Sequence, residues 1–259
     1  MALRSISLVL TATCLLAGVA APHALAEPAA VPVVRPVLVA QIPHDPNAYT
    51  EGLELDGGTL YEATGLAGKS DLREVDPNTG VVRRSVPLPG NYFSEGITVV
   101  GDRIWQLTYQ NGVALEWDKA TLTLLREVSV PPDFGWGICP VGDRLVVSDG
   151  TGRLRFVEPG TLEEVGSVDV TRDGNAVTGL NELDCVDGQV WASLWPSDEI
   201  ARIDPTTGKI NLVADMSGLF AGQDRTVEQV FSGIAHVAGD EFLVDAKKWP
   251  SMYRVRIDG

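Results

Sequence analysis

One short pattern recurs five times along the chain and leaves few architectures open. Its copies read "EGLELDGGTLYEATG" from Glu51, "EGITVVGDRIWQLTY" from Glu95, "WGICPVGDRLVVSDG" from Trp136, "NELDCVDGQVWASLW" from Asn181 and "SGIAHVAGDEFLVDAK" from Ser232. Glycine holds the second place in every copy but the fourth, which has Glu182. Each copy alternates apolar residues at period two around a Gly/Asp-rich turn, as a short antiparallel strand pair does. Self-similarity at a fixed spacing signals a repeat architecture rather than a single irregular sheet.

A second pair follows the first in each unit: "LREVDPNTGVVRRSV", "ALEWDKATLTLLREV", "LRFVEPGTLEEVGSV" and "IARIDPTTGKINLVA". An acidic residue, often followed by Pro, and a nearby Thr or Gly supply the turn, which is turn chemistry rather than a calcium loop. Four strands in a unit of about 40–50 residues make one blade of a β-propeller. The fifth unit stops after "MYRVRID" without an outermost strand, while "PVLVAQIP" (36 to 43) has strand alternation and precedes the first unit. The expectation is therefore an all-β chain, a five-bladed β-propeller whose last blade is closed by the N-terminal strand. The competing β-sandwich would not require units of such regular length.

Arg4, the apolar run Ile6 to Ala21 and Ala24-Leu25-Ala26 form the three parts of a secretory signal peptide, so residues 1–26 are expected to be removed and 27–259 to be a single propeller domain. The rival reading is a retained membrane anchor, for which the run is short. Export to the periplasm or the medium, with no membrane attachment after cleavage, follows from the first reading. Two cysteines then remain, Cys139 and Cys185, as a disulfide or as two buried thiols. The net charge of −15 repels phosphate backbones and argues against a nucleic-acid partner.

In a propeller the first strand of each blade lines the central channel, and the hairpin returns the second strand to the same level. The start and end of every copy therefore ring one mouth. Its first column is Glu51, Glu95, Trp136, Asn181 and Ser232, and its last is Gly65, Tyr109, Gly150, Trp195 and Lys247. A purely structural repeat would keep these positions alike, as it keeps the turn glycines. Their divergence toward Trp, Glu, Asn and Lys points to a site. Zinc-ligand spacing, a G-x-S-x-G elbow, a phosphate-cradling loop and a dinucleotide fingerprint are all missing from the sequence, so neither a metal nor a cofactor is expected. Any catalysis must run on carboxylate, amide, ammonium and aromatic groups.

At these residues the sequence resembles the plant and bacterial type of glutamine cyclotransferase, a family of five-bladed propellers. The resemblance spans nearly the whole chain after the leader and includes "PHDPNAYTEGL", "YEATGLAGKSDLR", "FSEGIT", "QLTYQ", "GWGI", "SDG", "LNELD", "IDPTTGKI" and "AKKWP". It implies conversion of an N-terminal glutaminyl residue of a peptide to pyroglutamyl with release of ammonia. It also implies that Glu95 of "FSEGIT" is the acid–base group, with Asn181 and Lys247 beside it in the catalytic set. Tyr49, Glu51, Phe93, Tyr109, Trp136 and Trp195 are then the substrate-binding residues. The chain departs from the family where it reads Tyr49-Thr50-Glu51-Gly52 for a frequent Phe-Thr-Gln-Gly, Tyr109 for a frequent Trp, and Ser232 for a frequent Asn. The expected partner is a peptide beginning with Gln, met by a monomeric enzyme. The alternatives are an exported propeller that only binds peptide ends or small cations, and a calcium-dependent sugar-lactone hydrolase.

Overall fold

The computed structural model describes residues 30–222 and 224–259. Five sheets surround a common axis, four of four strands and one extended to five by a short N-terminal strand, each laying its strands side by side from the axis outward. Blade 1 runs Thr50–Asp56, Thr59–Thr64, Asp71–Val75, Val82–Pro87; blade 2 runs Ser94–Val100, Arg103–Thr108, Val113–Asp118, Thr123–Ser129. Blade 3 runs Ile138–Val141, Arg144–Val147, Arg153–Val157, Glu164–Asp169, and blade 4 Leu180–Val186, Gln189–Leu194, Glu199–Ile203, Ile210–Asp215. Blade 5 takes Phe231–Ala238, Glu241–Ala246 and Ser251–Arg256 from the C-terminal end and Val37–Pro43 from the N-terminal end. That last strand pairs antiparallel from Val37↔Arg256 to Pro43↔Ser251, so the ring closes as the repeat requires. The leader, residues 1–26, lies outside the described residues.

One detail of the closure is not legible in the repeat. Val33–Val34 pairs parallel to the outermost strand of blade 4 through Val33↔Val213, so the N-terminal segment stitches blade 4 to blade 5 before it joins the latter. No helix among the described residues is long and apolar enough to cross a membrane.

The core lies between blades rather than inside them. Leu72, Ile97 and Trp117 fill the seam of blades 1 and 2, and Trp105, Leu107 and Val147 that of 2 and 3. Val146, Leu183 and Ala201 fill the seam of 3 and 4, Trp191, Ile200, Phe242 and Tyr253 that of 4 and 5, and Leu53, Leu60, Leu243 and Met252 that of 5 and 1. A buried Leu or Phe contributes about 1.5–3 kcal/mol. Each sheet thus gains its stability only when flanked on both faces, which is why the last blade must be completed.

Toward the axis the innermost strands approach so closely that side chains do not fit. A Cβ on Gly52 would lie 2.9 Å from the Gly96 Cα, and one on Gly96 would lie 2.8 Å from the Gly137 Cα. This contact is the reason for glycine in second place. Cys139 and Cys185, on the innermost strands of blades 3 and 4, form a disulfide with Cα atoms 5.5 Å apart, resolving the choice that the sequence left open. The acidic turns behave as turns: Asp76 accepts the Asn78 and Thr79 amides, and Asp204 accepts that of Thr206.

Candidate active site

The ladder of the innermost strand is broken at the mouth in four blades, blade 3 alone pairing without a shift. In blade 2 the register jumps from Ser94↔Thr108 to Ile97↔Gln106; in blade 4 it jumps from Leu180↔Leu194 to Leu183↔Ala192. Blade 1 has the same irregularity between Thr50 and Gly52, and blade 5 between Phe231 and Ile234. A bulge inserts an unpaired residue and re-aims its side chain. Glu51, Glu95, Asn181 and Ser232 occupy these four bulges, so the fold lifts them out of the pleat alternation at one level of the channel.

Two of them meet Lys247. Its Nζ lies 2.5 Å from Glu51 Oε2 and stands 4.7 Å over the Tyr49 ring. Burial drives the Glu95 carboxyl well above the usual carboxylate range; the Glu51 charge adds to the rise and the Lys247 ammonium opposes it. Burial also pushes Glu51 up to about 7, held back by the charge and hydrogen bond of Lys247 and raised further by Asp245. For Lys247 burial works downward, but the charges of Glu51 and Glu95 outweigh it and the ammonium is held above its ordinary value. One cation thus faces two carboxyls. Glu51 has its direct bond, while Glu95, only 6 % exposed, has no side-chain hydrogen bond among the described residues. Lys247 thus gives its direct bond to Glu51, and burial holds the Glu95 carboxyl beside that pair toward its protonated form.

Aromatic rings complete the mouth. Tyr49 packs edge-on to Phe93 with centroids 6.1 Å apart, Phe93 to Tyr109 at 5.8 Å, and Trp136 to Trp195 at 6.0 Å. Tyr109 and Trp136 share the lining of a small cavity of about 140 Å³, so the two aromatic groups form one wall running across blades 1 to 4. The glycines of the last column have a task in this wall. A Cβ on Gly65 would sit 2.6 Å from the Phe93 ring, and one on Gly150 would sit 2.5 Å from that of Trp136. Each seats a ring from its own or the neighbouring blade.

Asn181 is buried in its bulge, and its main-chain carbonyl accepts the Ser148 hydroxyl at 2.5 Å. Ser232 is fully buried and its hydroxyl has no partner among the described residues. Glu182, the exception to the glycine column, crosses the channel so that Oε1 accepts the Leu53 amide at 3.1 Å; Oε2 has no partner among the described residues. Burial, only partly offset by that amide, holds its carboxyl well above the ordinary range, with the charges of Glu95, Glu51 and Glu54 adding to the rise. It lies across the channel beneath the mouth. Sequence reasoning noted the missing glycine but not the side chain's span.

A second buried cluster was not anticipated. His44, at the end of the closing strand, donates from Nδ1 to the Trp249 carbonyl and from Nε2 to Glu62 Oε1, both at 2.9 Å, and Asp245 Oδ2 lies 3.6 Å away. These residues are close enough together to hold a metal ion. Both ring nitrogens are nevertheless turned toward acceptors, so the imidazole is a doubly protonated cation rather than a ligand. Burial alone would lower its pKa; the Glu62 bond and the charges of Asp245 and Glu62 outweigh this and raise it to about 9.

The family model of glutamine cyclotransferases matches residues 9–257. The glutaminyl-peptide cyclotransferase of Arabidopsis thaliana is 36% identical over 226 residues, which cover 85% of this chain and 70% of that protein. The crystal structure of the glutaminyl cyclase of Myxococcus xanthus superposes with a TM-score of 0.80 at 35% identity, over 87% of this chain and 98% of that one.

Proposed function

The chain belongs to the glutamine cyclotransferase family and converts N-terminal glutaminyl residues of peptides to pyroglutamyl residues with release of ammonia; from that premise we propose which groups of the mouth carry the reaction. The observation that supports the assignment most directly is the buried Glu95 carboxyl, without a hydrogen-bond partner among the described residues, next to a Glu51–Lys247 pair that already balances its own charge.

Cyclisation needs the α-amine of the substrate to attack its own γ-carboxamide. An α-amino group has a pKa of about 7.7–8.0, so much of the substrate arrives as ammonium. A second cation in the pocket favours the ionised form of Glu95, whose proton leaves to solvent as the substrate binds. The carboxylate then takes a proton from the ammonium and frees the nucleophilic nitrogen. As that nitrogen bonds to the γ-carbon, Glu95 returns the proton to the departing nitrogen. It then accepts the surplus proton of the new lactam nitrogen. One C–N bond forms, one breaks, and ammonia leaves. General acid–base work of this kind is worth about 10²–10⁴-fold.

Glu51 anchors the incoming amine together with the faces of Tyr49 and Phe93. Tyr109, Trp136 and Trp195 hold the glutaminyl side chain bent, which turns binding energy into proximity. Asn181 donates to the γ-carbonyl oxygen as it gains charge. Lys247, with three N–H donors and one bond to Glu51, offers the same oxygen a second donor. The decisive experiment is ammonia release and the matching mass loss from a Gln-initiated peptide, repeated with Glu95→Gln. Undiminished turnover by that variant would remove Glu95 from the mechanism.

We further read residues 27–259 as an exported, monomeric enzyme. The signal-peptide pattern of the first 26 residues and the Cys139–Cys185 disulfide, a bond that persists in oxidising compartments, support export.

A further inference from the structure

We propose that a cavity beside Trp195 is a subsite for the second and third residues of the peptide substrate. The inference rests on the cyclotransferase reading of the mouth and extends it outward. Strands of a propeller alternate in direction, so the mouth face carries two sets of loops: those joining the second strand of each blade to its third, and those joining one blade to the next. Between blades 3 and 4 the connection is not a plain loop but carries a small hairpin, Thr171–Arg172 paired with Asn175–Ala176. This hairpin and the Leu194–Glu199 segment of blade 4 line an open cavity of about 450 Å³ on the surface. Pockets that hold small ligands span about 300–1,000 Å³, a range that the 140 Å³ cavity between Tyr109 and Trp136 does not reach.

Trp195 belongs to both sites. One side of its ring meets Trp136 edge-on in the glutaminyl pocket, and it also lines the larger cavity, with 46 % of the residue exposed. For cyclisation the α-amine and the γ-carboxamide must both face Glu95, so the α-carbonyl and all following residues point out of the mouth. A chain leaving over Trp195 enters the cavity directly. There Arg172 Nη1 lies 3.1 Å from Glu199 Oε2, with about a third of each side chain exposed. A guanidinium with donors to spare and a carboxylate side by side suit the carbonyls and amides of an extended peptide and polar side chains upon it. Val177 and Leu194 supply an apolar surface between them.

The test is a length series of substrates, glutaminamide, Gln-Ala-amide, Gln-Ala-Ala-amide and Gln-Ala-Ala-Ala-amide, assayed for ammonia release with the wild type, Ala176→Trp and Arg172→Ala. Ala176 is exposed on the hairpin, so the indole is expected to fill the cavity without disturbing the blades. Wild-type kcat/KM should rise about tenfold from glutaminamide to the tripeptide amide and then level off. Ala176→Trp should abolish that gain while leaving glutaminamide turnover unchanged, and Arg172→Ala should lose part of it. A wild-type kcat/KM independent of length, or an equal loss at every length in Ala176→Trp, would overturn the subsite alone. Failure of the wild type to release ammonia even from glutaminamide would overturn the cyclotransferase reading and the subsite with it.

Discussion

Two buried clusters in this propeller each set two carboxyls around a buried cation, the second with Arg73 Nη1 also 3.6 Å from Glu62 Oε2, and they hold their carboxyls differently. At the mouth, Lys247 binds Glu51 while the Glu95 carboxyl stands without a hydrogen bond among the described residues, and both carboxyls are pushed upward by burial. At the seam of blades 5 and 1, His44 is bonded through both ring nitrogens, Glu62 also receives the Thr50 hydroxyl at 2.8 Å, and Asp245 receives the Gly233 amide at 3.1 Å. Burial alone would raise Glu62, but the bond and charge of His44 and the Arg73 charge bring it below the ordinary carboxylate range. The clusters touch: Thr50 precedes Glu51, Asp245 lies two residues from Lys247, and the Asp245 charge contributes to the rise of Glu51. Burial is common to both and decides nothing. The lock gives each carboxyl at least one hydrogen-bond donor, although burial still holds Asp245 above its ordinary range, whereas the mouth gives the Glu95 carboxyl none among the described residues.

The largest expected effect breaks the comparison at its reactive end. Glu95→Gln keeps the shape of the neutral acid but ends proton transfer, so kcat should fall by about 10²–10⁴. Because no hydrogen bond of Glu95 is lost, the melting temperature should stay level or rise. A parallel loss of activity and stability would show instead that Glu95 holds the mouth together. The complementary substitution, His44→Ala, leaves Glu62 and Asp245 without their buried cation, a change that destabilises by about 3–5 kcal/mol. Thermal melting should show it, while the kcat of the folded protein, assayed well below its melting point, should stay near wild type. A lasting loss of kcat there would mean that the lock and the site are one unit.

The same lock should carry a pH signature. His44 has an ordinary pKa of 6.5 and about 9 in the fold. Its raised folded pKa means that its stabilisation is fully present below pH 6.5 and is lost as pH rises through about 9. That interval corresponds to about 3 kcal/mol. Chemical denaturation of the wild type and of His44→Asn between pH 6 and 10 should give curves that converge at the alkaline end. Curves that stay parallel would show that the imidazole is not charged in the native protein.

How much of this was legible in the sequence depends on distance along the repeat. The five hairpins and the displaced strand at residues 36–43 follow from period and alternation, because those signals lie within one unit. The approach of Lys247 to Glu51 and Glu95 also follows, since blade geometry maps equal places in each copy to equal heights on the axis. The bulges that free these side chains have no local signature. Glu182 announced itself as a missing glycine, but its reach to Leu53 spans the channel from blade 4 to blade 1. The lock was hidden for the same reason: His44, Glu62 and Asp245 come from the closing strand, blade 1 and blade 5, and nothing in any one segment marks them as partners. The hairpin at Thr171–Ala176 leaves no mark on the sequence pattern, because its two-residue strands are too short to show a period.

Glu51 joins the two clusters and supports the smallest prediction. The resemblance placed a frequent amide at this position, and here a carboxylate occupies it. Its charge is one cause of the raised Glu95 pKa, and it is also the direct partner of Lys247. Glu51→Gln removes the like charge and leaves the ammonium opposed only by Glu95, so the Glu95 pKa should fall. The acid limb of kcat/KM, which reports the free enzyme, should therefore move to lower pH. At the optimum the rate should change by less than about tenfold, since the amide still accepts a hydrogen bond from the ammonium or from the substrate amine. KM for Gln-initiated peptides should rise as the anionic anchor is lost. An acid limb that stays in place would separate Glu51 from Glu95 electrostatically and leave burial as the sole cause of the raised acid; a limb that shifts with KM unchanged would make Glu51 a tuning charge and not an anchor.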